Sequence, residues 1–245
     1  MIIKNEIVDL PTATGTMRTY VYRPVEDGQY ATVIFYSEIF QQTAPIARSA
    51  AIIAGHGFVV LVPEVFHELN PVGTVLAYDE KGKDKGNHDK FTKPLASHDS
   101  DTEAMIDFAD QASFCNGKIG SMGVCIGGHL AFRAALNQRI GAAACLYATD
   151  LHSNTLPADD ADQSLARAGD INGELLMVWG RQDPHVPDAN RADINQALRD
   201  SGCLFSWHEV NGQHAFMRDE GVRYDPELAL NCYRLSVDLF RRALA

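Results

Sequence analysis

Apolar residues along the chain fall into short β-branched runs separated by longer stretches of helical periodicity. Residues 31–36 (ATVIFY) and 58–62 (FVVLV) predict two buried strands, and 44–54 (APIARSAAIIA) between them predicts an Ala-rich helix ended by Gly55. A helical crossover between strands is what parallel pairing requires. The same unit recurs at 118–124, 127–137 and 141–147, and again at 174–179, 189–200 and 204–210. In 226–244, Leu228, Leu230, Leu235, Leu239 and Phe240 keep largely helix-compatible spacing and predict a closing helix. Residues 18–23 (RTYVYR) alternate, predicting an amphipathic edge strand stopped by Pro24. The expected fold class is therefore α/β, a mostly parallel central sheet flanked by helices on both faces, as one domain over 1–245.

Two stretches break this rhythm. Residues 78–101 are densely charged and contain glycine, and 150–170 is acidic with Pro157 and few large apolar side chains. Both are expected to be solvated connections, or a rim or lid over a pocket. No internal repeat or low-complexity tract is present.

Composition narrows the possible partners. With 46% hydrophobic and 22% charged residues the chain has the make-up of a folded globular protein. Lys plus Arg is 21 against Asp plus Glu 32, so the net charge is 21 − 32 = −11, with no basic run. Nucleic acid and acidic membrane surfaces are thereby disfavoured as partners. The opening residues MIIKNEIVDL lack the sections of a signal peptide, and the longest apolar stretch, 50–62, is interrupted by Gly55, His56 and Gly57. A soluble cytoplasmic protein, monomeric or homodimeric, is expected. The five cysteines are odd in number and form no CxxC pair, which argues for reduced thiols rather than a disulfide framework or zinc ribbon.

One cysteine has unusual surroundings. The strand at 118–124 runs into Gly123-Val-Cys125-Ile-Gly127-Gly128-His129 and then directly into a helix-forming segment. This is the form of a nucleophile elbow, G-x-S-x-G, with cysteine in place of serine. Glycines two residues either side let a strained turn pass its neighbours, and the following helix start favours a thiolate and a developing oxyanion. In such enzymes the acid and then the histidine follow the nucleophile in chain order. Strand 174–179 (ELLMVW) leads to Asp183 in Gly180-Arg-Gln-Asp-Pro-His-Val-Pro, and strand 204–210 leads to His214 in Asn211-Gly-Gln-His-Ala-Phe. Catalytic groups of open α/β sheets gather at the carboxyl ends of strands, so Cys125, Asp183 and His214 are expected at one sheet edge. His129 and His185 compete as bases but rank below His214. His88 and His98 with Asp89 and Asp99 show no tight metal-ligand spacing, and no metal is expected.

Glu38 follows the strand at 31–36, and a carboxylate there is costly unless it acts on the nucleophile or meets a cation. In a hydrolase of this architecture the same loop supplies an oxyanion-hole amide, expected from Ile39, with Ile126 as the second donor. Taken together, Ser37-Glu38-Ile39-Phe40, the Cys125 elbow, the 180–187 segment and Gly212-Gln-His214-Ala-Phe216-Met-Arg218 resemble the dienelactone hydrolase family over nearly the whole chain. The resemblance implies an α/β-hydrolase fold, a triad of Cys125, His214 and Asp183, and Glu38 beside the thiol, where it helps generate the thiolate. It further implies hydrolysis of a carboxylate-bearing lactone or ester through an acyl-thioester, without cofactor, with Arg218 on the substrate anion. Tyr147, closing the strand at 141–147, is expected as a further substrate contact. The chain departs from the family at the second carboxylate-binding arginine before the elbow strand, where Lys81, Lys83, Lys85, Lys90 and Lys93 stand without an Arg. Other small esters or thioesters, or ligand binding without catalysis, are the competing expectations.

Overall fold

The computed structural model describes residues 1–157 and 162–245. One sheet contains β1 (Ile3–Thr12), β2 (Gly15–Pro24), β3 (Tyr30–Tyr36), β4 (Val59–Pro63), β5 (Cys115–Val124), β6 (Ile140–Leu146), β7 (Glu174–Gly180) and β8 (Phe205–Val210), in the spatial order β1-β2-β4-β3-β5-β6-β7-β8. β1 and β2 form an antiparallel hairpin and β2 pairs antiparallel with β4, while every pairing from β4 through β8 is parallel. Among the described residues six α-helices accompany the sheet: α1 (Ala44–Gly55), α2 (Glu80–Thr92), α3 (Leu95–Gln111), α4 (Ile126–Ala134), α5 (Asp188–Ser201) and α6 (Pro226–Ala243).

Strand alternation divides the core in two. Ile34, Leu61, Ile119 and Met177 face α3, α4 and α5, where Met105, Leu130 and Ile194 meet them. Their neighbours Val33, Val60, Met122 and Val178 face α1 and α6, against Ile53, Val237 and Phe240. Because both faces are covered, β4 is buried along its whole length, as the continuous run VVLVP anticipates. Among the described residues no helix is long and apolar enough to cross a membrane.

Two expectations are corrected. The strand expected at 18–23 is not an edge, because β1 pairs along it and takes the edge position. Residues 78–101 are not an irregular connection, since α2 and the start of α3 occupy most of them. Asp79 caps α2 by accepting from the Gly82 N–H at 2.7 Å, and a Cβ at Gly86 would lie 2.6 Å from the Ile39 carbonyl oxygen. The glycines that suggest a loop are close-approach positions: Gly86 lets α2 lie against the β3 loop, and Gly82 lets its first turn pass the Ala77 backbone. Of the acidic stretch 150–170, residues 158–161 lie outside the described residues; the rest forms turns and a short 3₁₀ helix, Leu165–Asp170.

Candidate active site

The sharp turn between β5 and α4 places Cys125 at φ 60° and ψ −126°, a conformation a non-glycine residue rarely adopts. Sequence makes the turn possible. A Cβ at Gly123 would sit 1.8 Å from the Gly127 oxygen, and one at Gly127 would sit 2.2 Å from the Tyr36 oxygen. The Cys125 carbonyl accepts from Gly128 and Thr149 amides at 3.0 and 3.2 Å, which fixes the turn while the thiol stays partly exposed. Ile126 opens α4, so its N–H has no intrahelical acceptor. Ile39, on the β3 loop, lines the same cleft.

Asp183 and His214 follow β7 and β8, and the two loops brace one another: the Arg181 N–H donates to the Val210 oxygen at 2.8 Å and the Gln182 N–H to the Gly212 oxygen at 3.0 Å. As a result His214 Nδ1 lies 2.7 Å from Asp183 Oδ2, with both residues buried, while Asp183 Oδ1 accepts from the His185 N–H at 2.8 Å. Burial alone opposes a charged imidazole at His214. Cys125, through its charge and proximity, and the hydrogen bond to Asp183 outweigh it and raise the His214 pKa to about 10. Burial likewise pushes Asp183 up, but the His214 hydrogen bond and charge leave it below its ordinary value. Both directions describe one arrangement, a histidine bonded to the Asp183 carboxylate and close enough to Cys125 to feel its charge.

Glu38 is buried, with Oε2 lacking a hydrogen-bond partner among the described residues and Arg218 Nε 3.6 Å away, an ion-pair distance. The Arg218 guanidinium lies 4.3 Å from the Tyr78 ring centroid and 5.4 Å from that of Phe40. These groups border a cleft of about 480 Å³ that also reaches Cys125, His214, His185 and Arg223. Its far wall belongs to α2, from which Lys83 and Lys90 face inward, and Lys90 pairs with Asp150 at 3.0 Å.

Seven of the eight sequence-derived residues thus converge: Cys125, Asp183, His214, Glu38, Ile39, Ile126 and Arg218. Tyr147 does not reach this cleft. It is buried at φ 38° behind the site, its ring 5.4 Å from His214 and 5.1 Å from Phe216, so it supports the histidine rather than facing a substrate. The competitor His129 is wholly buried on α4, with Nε2 2.9 Å from Ser164 Oγ. His185 does border the cleft, with its ring 4.5 Å from His214; burial and then the His214 charge hold its pKa below the usual value. Tyr78, Asp150 and Arg223 were not foreseen, since nothing in their local sequence marks a site.

His88, His98, Asp89 and Asp99 do not converge: Asp89 pairs with Lys85, and Asp99 with Arg133 at 2.7 Å. Among the described residues two groups have ligand-like spacing. In Asp183, His185 and His214 the carboxylate and imidazole hydrogen-bond each other. In His67, Glu68 and Asp101 the Lys93 ammonium bonds both carboxylates and fills the place of a cation.

The family model described as dienelactone hydrolase family matches residues 17–244. A Saccharomyces cerevisiae protein with carboxymethylenebutenolidase in its name is 40% identical over 257 residues, covering 100% of this chain and 93% of that protein. The Pseudomonas putida carboxymethylenebutenolidase is 24% identical over 193 residues, covering 78% and 77%. A Klebsiella pneumoniae crystal structure described in terms of dienelactone hydrolase superposes with a TM-score of 0.87 at 21% identity, covering 99% of this chain and 100% of that one. At that identity the likeness is one of fold, and the fold is that of the α/β-hydrolases.

Proposed function

The chain belongs to the dienelactone hydrolase family and is a carboxylic ester hydrolase, and from that premise we propose that it cleaves a carboxylate-bearing lactone or ester with Cys125 as nucleophile. The observation that carries this reading is His214 standing between Asp183 and Cys125 on the cleft floor. The Cys125 thiolate attacks the acyl carbon, and the amides of Ile39 and Ile126 stabilise the oxyanion of the tetrahedral intermediate. As the carbonyl re-forms, the C–O bond to the leaving group breaks and His214 gives the leaving oxygen its proton, producing an acyl-thioester. His214, now neutral and oriented by Asp183, takes a proton from water as that water attacks the thioester. Collapse of the second intermediate releases the acid and returns the thiolate beside the imidazolium.

Glu38 and Arg218 complete the resting site in this reading. Arg218, flanked by the Tyr78 and Phe40 rings, offers its guanidinium to the substrate carboxylate. Glu38 balances that charge until substrate engages the arginine.

Wild type and Cys125→Ser are to be compared on a carboxylated dienelactone and on p-nitrophenyl acetate by absorbance at saturating substrate. Lactone turnover that falls at least about 10²-fold in the variant is expected. Turnover retained by Cys125→Ser would overturn the nucleophile, and ester turnover without lactone turnover would move the substrate class away from lactones.

A further inference from the structure

Among the described residues four Lys and Arg side chains reach the cleft, and three of them are matched by acids. Lys83 pairs with Glu80 at 2.5 Å, Lys90 with Asp150 at 3.0 Å and Arg218 with Glu38 at 3.6 Å. Arg223 has no ion-pair or hydrogen-bond partner among the described residues, although it is half withdrawn from solvent. Its charge is felt inside the site, where, after burial and the His214 charge, it adds to holding the His185 pKa below its usual value.

The missing partner is a built feature of the loop between His214 and α6. Of the four acids within four positions of Arg223, Asp219, Glu220 and Asp225 are engaged elsewhere, while Glu227 is exposed on the first turn of α6 and makes no ion pair with Arg223 among the described residues. Arg48 on α1 takes Asp219 through two bonds of 2.6 Å and Glu220 through one of 2.7 Å. Asp225 caps α6 by accepting the Glu227 and Leu228 amides at 3.1 and 3.0 Å. The loop itself is tied down, with the Tyr224 N–H bonded to the Gly221 oxygen and the Asp225 N–H to the Phe216 oxygen at 3.1 and 2.9 Å. Arg223 is therefore presented from a fixed loop into a cleft whose other cations are neutralised, and a guanidinium so placed is matched to a carboxylate by two parallel N–H donors.

We propose that Arg223 is a specificity-determining residue that binds an anionic group, a carboxylate, carried by the substrate on the His214 side of the cleft. This rests on the reading of the cleft as an ester-hydrolysing site. It assigns first capture of the anion to Arg223, whose charge is unopposed in the resting protein, ahead of Arg218, which must first part from Glu38. It also answers the lack of an arginine in 78–101: the cation comes from the opposite wall.

The test compares a neutral and an anionic ester of the same leaving group, p-nitrophenyl butyrate and mono-p-nitrophenyl glutarate, with wild type, Arg223→Gln and Arg223→Lys. A charge-assisted hydrogen bond at a half-exposed position corresponds to about a tenfold change. Arg223→Gln is expected to raise KM for the glutarate ester about tenfold with kcat within about twofold, and to leave the butyrate KM in place. Arg223→Lys should recover part of the loss. Equal losses on both esters, or no change on either, would overturn the proposal. A second readout needs no turnover: glutarate should slow alkylation of Cys125 by iodoacetamide in wild type and much less in Arg223→Gln. If neither ester is hydrolysed but this protection depends on Arg223, the ester-hydrolysis reading falls and the anion site stands. Equal protection of both proteins removes the anion site.

Discussion

Lys93 offers the clearest stability test, because Lys93→Met keeps the length of the side chain and deletes its charge. The ammonium is fully buried and donates to the Val65 oxygen at 2.6 Å, Glu68 Oε2 at 2.9 Å and Asp101 Oδ2 at 2.5 Å. Methionine leaves two carboxylates facing each other with side-chain exposures of only 15% and 5%. Removing one partner of a buried ion pair costs about 3–5 kcal/mol, and the residual exposure of Glu68 places the expectation near the lower end, about 3 kcal/mol. A urea m-value of about 3 kcal/mol/M then gives a midpoint lowered by about 1 M at neutral pH, read by circular dichroism. The pH dependence sharpens the test. Burial raises the Glu68 pKa, but the Lys93 charge and hydrogen bond, with the Thr14 hydroxyl, bring it below 4.5. A depressed carboxylate stabilises the fold above its unfolded pKa, and that contribution disappears as pH falls through the folded value. In the variant Glu68 loses the cation that holds its pKa down and protonates at higher pH, so the gap between the two proteins narrows as pH falls from about 7 towards about 4. A loss below about 1 kcal/mol at neutral pH, or a gap independent of pH, would refute the view of Lys93 as the charge that holds this cluster together.

Two further tests address the site. Asp183→Asn is expected to lower kcat by about 10³–10⁴-fold, read with p-nitrophenyl acetate, because it removes the group that orients His214; a loss below about tenfold would show that the histidine is held without it. In wild type the raised His214 pKa adds stability that is complete below its unfolded value of 6.5, declines above it and is lost as pH passes about 10. Urea midpoints of wild type should fall across that window more steeply than those of Asp183→Asn, and parallel profiles would contradict the pairing. Gly127→Ala forces a methyl to within 2.2 Å of the Tyr36 oxygen and should destabilise by about 3 kcal/mol or more in thermal unfolding. A variant that melts with wild type would mean the elbow is looser than its contacts indicate.

Much of this was legible because the residues concerned carry local signals. The βα rhythm from β3 to β8 follows continuous apolar strands, and Cys125, Asp183 and His214 each sit in a turn directly after one. β1 escaped because its acids and lysine face solvent on the open edge, so its alternation is diluted by charge. α2 escaped for a different reason: its glycines serve close approach to Ala77 and to the β3 loop and its polar face looks into a cleft, so neither periodicity nor composition announces a helix. Tyr147 was placed by its position at a strand end, but the left-handed backbone turns it away behind His214. Arg223 has no signal of its own, because its availability depends on Arg48, which is distant in sequence, holding Asp219 and Glu220.

The position of α2 bears on how such a protein changes over generations. The residues that make and break bonds in the proposed reaction are anchored at the ends of β5, β7 and β8, whereas the wall facing them is a polar helix inserted between β4 and β5. Only its glycines and a few buried positions are bound to the rest of the fold; Glu80, Lys83 and Asn87 border the cleft without belonging to either apolar core. Mutations there can redraw which acids and esters are admitted while leaving both the chemistry and the packing intact. Selectivity can drift among descendants of one ancestor while the catalytic centre stays the same, and kinship in this family will then be a better guide to the reaction than to the metabolite.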